Sequence, residues 1–138
     1  MGTTWGEMMV EQGENVLAAR YDDAVRFNSD TLLELYRQLG NSSAESVICR
    51  AMEELAVRLV AIEQIPSSAE PTGLRKNARA LAAIAEQIGM VSLSEAAYDV
   101  IDCANAGDKV ALAATRARMM RIGDRSLTDV WDVQDLSV

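Results

Sequence analysis

The stretch from Leu74 to Gly89, L-R-K-N-A-R-A-L-A-A-I-A-E-Q-I-G, decides the fold. Leu74, Ala78, Leu81, Ala85 and Ile88 recur at steps of three or four, which is the stripe of an amphipathic helix. Gly89 supplies the stop that such a helix needs. Arg75, Arg79, Ala82, Ala83 and Glu86 fall on the other side, and Lys76 adds to the positive charge of the first half. That second face is a charged rim around two very small side chains. A step of two residues turns a helix by about 200°, so Arg79 projects outward if Leu81 points in.

The same period extends outward in both directions. Asn28-Ser29-Asp30 offers caps for a short helix over Thr31 to Leu39, with Leu32, Leu35, Tyr36 and Leu39 on one side and Gly40 as its end. Ser42-x-x-Glu45 has the form of a capping box and opens a long helix to about Ile65. Ala44, Ile48, Ala51, Leu55, Leu59 and Ile62 form its stripe, and Pro66 ends it. In the connector to Gly73, Ser67-x-x-Glu70 and Pro71 are competing helix starts. Ser92-Leu93-Ser94-Glu95 is a second capping box, ahead of a stripe through Leu93, Ala96/Ala97, Val100/Ile101 and Ala104. Asp108 caps a last helix to about Ile122 or beyond Gly123.

Glycine and proline are confined to the junctions, and strand-like alternation is absent. The fold class is therefore all-α, with five or six helices. Short connections favour antiparallel neighbours, so the long helices are expected to form an up-down bundle. Residues 1–27 read as an arm with a helix, residues 28–125 as the bundle, and residues 126–138 as an acidic tail.

Composition removes several functions. The chain has 138 residues, no histidine and two cysteines, Cys49 and Cys103, 54 positions apart inside apolar patterns. Buried free thiols are expected, not a disulfide framework. Histidine acid/base catalysis, histidine metal ligation and phosphohistidine chemistry are excluded. No metal-ligand spacing, no phosphate-binding glycine loop and no cofactor motif occurs. Glu53-Glu54 and Asp22-Asp23 are neighbours about 100° apart on a helix, hence solvated faces and not acid/base dyads. Met8-Met9 and Met119-Met120 suit core gap-filling, the commoner use, or an adaptable binding surface. An enzyme using Cys49 or Glu86 in a cleft has no positive support, and the chain is read as a non-enzyme.

The net charge is −8, with 12 acids and 5 bases in residues 1–70 against 9 acids and 8 bases in residues 71–138. An acidic chain lacks the footprint for general nucleic-acid binding. The bases cluster in Arg75–Arg79 and Arg116–Arg125, where an acidic partner fits. No apolar run approaches the roughly 20 residues of a membrane span, and the first residues lack a signal-peptide pattern, so a cytoplasmic protein is expected.

The frame Arg79-Ala80-Leu81-Ala82-Ala83-Ile84-Ala85-Glu86-Gln87-Ile88-Gly89 resembles the histidine-containing phosphotransfer (HPt) domain family. Such domains carry a phosphoacceptor histidine, a lysine three later, a small residue four later and a glycine ten later. Leu81, Ala83, Ile88 and Gly89 fit that pattern. The run S-L-S-E-A-A-Y-D-V-I-D-C-A-N-A-G-D from Ser92 looks like the next family helix, and F-N-S-D-T-L-L-E-L-Y-R-Q-L-G from Phe27 like its short first helix. The resemblance spans about Asn28 to Gly123. Arg79 stands where the histidine would be and Ala82 where the lysine would be, so phosphotransfer does not carry over. The resemblance implies a four-helix bundle whose docking face meets a response-regulator receiver or a histidine-kinase domain. On that face lie Arg75, Lys76, Arg79, Ala82, Ala83 and Glu86. The alternative is a structural bundle or homodimer, with Tyr21, Phe27 or Trp131 packing between chains.

Overall fold

The computed structural model describes residues 25–137, and side chains through residue 130. Five helices follow one another: α1 (Ser29–Leu39), α2 (Asn41–Glu63), α3 (Thr72–Gln87), α4 (Val91–Ala106) and α5 (Lys109–Ser137). Among the described residues there is no strand; one isolated antiparallel bridge joins Phe27 to Met90. The fold is all-α. No helix of the described residues is long and apolar enough to cross a membrane.

The long helices pack in chain order. α3 lies against α2 and α4, α4 against α5, and α5 returns to α2, while α1 rests on α2. The stripes expected from the sequence are the buried ones. Ile48, Leu55, Leu59 and Ile62 of α2 meet Leu74, Leu81 and Ala85 of α3, with Leu93 and Val100 of α4 and Met119, Ile122 and Val130 of α5. Leu32 of α1 and Ile88 join them. Alanines at 78, 82, 85, 96 and 97 are buried too, which lets α3 and α4 approach closely.

Helix ends match the sequence where a single residue does the work. The Asn28 side chain accepts from the amides of Asp30 and Thr31 and caps α1. The Asp108 carboxylate accepts from the Ala111 amide at 3.0 Å and caps α5. Pro71, not Ser67, stands before α3. The C-terminus of α3 is a Schellman motif: Gly89 donates to the Glu86 carbonyl at 3.3 Å and Met90 to the Ala85 carbonyl at 2.8 Å. That motif puts Gly89 at φ +77°, and a Cβ there would lie 2.7 Å from the Asn28 carbonyl oxygen.

Both capping boxes are corrected. α2 already begins at Asn41, with Gly40 as N-cap and no side-chain cap bond. One residue separates α1 from α2, so Ser42 and Glu45 fall inside the helix and point to solvent. At α4 the box residues engage a distant segment. The Ser92 hydroxyl accepts from the Arg26 amide at 2.7 Å, and Glu95 pairs with the Arg26 guanidinium. With Asn28 donating to the Gly89 carbonyl at 2.7 Å, residues 26–28 are clipped along the α3–α4 junction.

The helical backbone of α5 runs through Gly123 and on across residue 126 to Ser137. Gly123 is interior to this helix, where it lets α5 approach Leu59 of α2. The expected buried thiols are also corrected: both cysteines are free, Cys103 half-buried and Cys49 exposed. Cys49 follows buried Ile48 by one position, and the 100° step turns it away from the core. Met119 is buried and Met120 half-buried, as core packing requires. Met8-Met9, Tyr21, Asp22-Asp23 and residues 1–24 of the arm lie outside the described residues, as does the Trp131 side chain.

Candidate functional site

The exposed side of α3 follows from its two neighbours. Packing against α2 and α4 buries an arc wider than one stripe, and the rest faces solvent. Lys76, Arg79, Ala83 and Glu86 are exposed there, and Arg75 is half-buried on its margin. Ala82 is the correction: it is 1% exposed and belongs to the core. It sits four residues after Ala78 and three before Ala85, on the flank of the stripe that the second neighbour covers. The strip that remains has a single small residue at its centre, Ala83, rather than two.

Its electrostatics are polarised along the helix. Among the described residues, Arg75, Lys76 and Arg79 make no ion pair. At the other end, the Tyr98 hydroxyl of α4 donates to both oxygens of Glu86, each at 3.2 Å. That bond to Glu86, then loss of water around the ring, then the carboxylate's charge hold the Tyr98 phenol above its ordinary 10.0. The sequence missed Tyr98. Its position 12 residues beyond Glu86 across a helix turn carries no local signal; only the antiparallel pairing of α3 with α4 brings the two together.

The flank toward α2 is closed by neutral and paired groups. Arg58 donates to Glu54 at 3.0 Å and to the Asn77 side-chain oxygen at 3.3 Å, while Asn77 donates back to the Gly73 carbonyl at 2.9 Å. Glu53 and Glu54 are exposed, the solvated face their spacing indicates. Among the described residues no cluster of cysteine and acidic side chains is arranged to hold a metal ion.

The strip therefore carries three cations, unpaired among the described residues, over the first half of α3 and a carboxylate–phenol pair at its far end. Chemically it offers recognition, through guanidinium and ammonium donors at one end and the Glu86 carboxylate with the Tyr98 hydroxyl at the other. No protein-family model, no curated protein and no solved structure matches the chain.

Proposed function

We propose that this chain is a non-catalytic interaction module of two-component signalling, an HPt-like up-down four-helix bundle that docks a receiver or histidine-kinase domain without accepting phosphate. The observation that carries the reading is the exposed face of α3, where Arg79 stands with Lys76 and Arg75 beside small Ala83 and none of the three bases is paired among the described residues. The closure of α2, α3, α4 and α5 into a circuit of contacts supports the bundle topology. Gly89 at the end of α3, ten residues after Arg79, supports the family frame.

A receiver carries an acidic pocket around its phosphoacceptor aspartate, as the resemblance implies. A fixed guanidinium suits a carboxylate or an aspartyl-phosphate, because its planar fork donates two parallel hydrogen bonds. Ala83 leaves room for the partner's loops to approach. The bound state then sequesters the partner or shifts its equilibrium, since a chain without histidine has no imidazole to phosphorylate.

The test is a calorimetric titration of the full chain against the receiver and kinase domains of its own organism, with Arg79→Glu alongside. At least one partner is expected to bind, and the charge reversal to weaken it by about tenfold or more, the size of a lost charge-assisted contact. Absence of binding across the panel, or an Arg79→Glu protein with every affinity unchanged, overturns the reading.

A further inference from the structure

A cavity of about 410 Å³ opens at the end of the molecule where the α2–α3 connector meets the start of α3, the end of α4 and the start of α5. It is separate from the exposed face of α3. Its volume lies within the range of roughly 300–1,000 Å³ typical of small-molecule sites. Ile65, Leu74, Ala104 and Leu112 give it an apolar lining, and Leu74 is itself a core residue.

One wall is charged in a specific way. Nη2 of Arg116 donates to the carbonyls of Ile62 and Ile65, each at 2.6 Å, at the C-terminal end of α2. Those bonds fix the guanidinium in place. Among the described residues, Nε and Nη1 have no partner and no carboxylate forms an ion pair with the group. Lys109 lines the same cavity and is exposed and unpaired among the described residues. The described lining holds these two bases and one acid, Glu70, in a chain of net charge −8.

We infer that this cavity binds a small anionic amphiphile, a carboxylate on a compact aliphatic body. The chain of the ligand lies among Ile65, Leu74 and Leu112, and its carboxylate accepts from one free nitrogen of Arg116, with Lys109 at the mouth. Pre-orientation by the α2 carbonyls lowers the ordering cost of that contact. A neutral or cationic ligand of the same shape leaves those donors unanswered.

Octanoate is a suitable probe, titrated into the full chain and followed by methyl ¹H–¹³C correlation spectra, with octanol and octylamine as charge controls. Saturable one-to-one shifts are expected at Ile65, Leu74 and Leu112, with octanol weaker by about tenfold and octylamine weaker still. Arg116→Met is expected to bring octanoate down to the octanol level. Because that change also removes the cap on α2, Lys109→Glu, at an exposed position, provides a second charge test, and Ala113→Phe, at the cavity wall, is expected to abolish the shifts in a protein with unchanged helical content. Non-saturating shifts, shifts centred elsewhere, or equal affinity for the three probes overturns the proposal.

Discussion

Gly89→Ala should be among the most damaging single-methyl changes in the protein, and Gly107→Ala is its internal control. Both glycines close helices in Schellman motifs. Gly107 donates to Ala104 at 3.2 Å and Asp108 to Cys103 at 3.3 Å, as Gly89 and Met90 do at the end of α3. Their φ angles are alike, +77° and +73°. An alanine at either position carries a left-handed backbone penalty of about 1–2 kcal/mol, partly offset by reduced freedom of the unfolded chain. The surroundings differ. A Cβ at Gly107 meets nothing within 4 Å, whereas one at Gly89 meets the Asn28 carbonyl at 2.7 Å and Thr31 Cβ at 3.1 Å.

Backbone must therefore move at Gly89. The Asn28-to-Gly89 hydrogen bond is strained or lost, worth about 1 kcal/mol, and the Asn28 cap on α1 adds about 1 kcal/mol more. The expected loss is about 1 kcal/mol at Gly107 and about 3 kcal/mol at Gly89. Urea unfolding followed by far-ultraviolet circular dichroism measures both, with an unchanged slope confirming that stability alone has changed. Equal destabilisation of the two variants would refute the claim that close approach of residues 26–28 constrains position 89.

Leu55→Ala and Leu81→Ala each remove a fully buried side chain from the centre of the packing and are expected to cost about 2–5 kcal/mol in the same unfolding assay. Gly123→Ala places a Cβ 2.8 Å from Leu59 Cδ2, so an overpacking cost of about 1–3 kcal/mol opposes the better helix propensity of alanine; combining it with Leu59→Ala should give less destabilisation than the two single losses added. Tyr98 should ionise above 10.0 in an ultraviolet titration compared with Tyr98→Phe, and Glu86→Gln should bring its pKa down. The sign for folding follows: the bond from the neutral phenol contributes below pH 10 and is lost as pH rises through the raised value.

Periodicity carried most of the fold because burial acts on whole faces. Leu74, Ala78, Leu81, Ala85 and Ile88 are all buried, as are five of the six stripe positions expected on α2, with Ala51 half-buried. Local hydrogen-bond signals transferred less well. Ser92 and Glu95 have the spacing of a capping box, yet their partner is Arg26, 66 and 69 residues away, because a side-chain acceptor takes whichever donor the tertiary structure brings. The exposed face of α3 was legible in its charged residues and not in its small ones. An exposed base declares itself by solvation cost, whereas alanine is indifferent to both environments. Ala82 and Ala83 look alike in sequence, and only the crowding of α3 between two helices separates them.

The three bases on α3 make no ion pair among the described residues, and the stability of the fold gives no reason for them. On α4, against which α3 packs, Glu95 pairs with Arg26 and Asp99 with Arg118 at 3.7 Å; on α2, Glu54 pairs with Arg58. Those acids serve other bases, and pairing with α3 would add little, since exposed ion pairs contribute about 0–1 kcal/mol. The positions are also mildly unfavourable. Arg75 closes the first turn of α3, where the helix dipole disfavours positive charge by about 0.3–1 kcal/mol, and Lys76 follows it. Their charges are therefore expected to add little to stability, and a double variant Arg75→Glu, Arg79→Glu should unfold close to the parent's denaturant midpoint. A loss above about 1 kcal/mol would mean that these bases serve the fold. With stability unchanged, any loss of binding in the same variant belongs to the surface itself, which is the separation that the docking proposal requires.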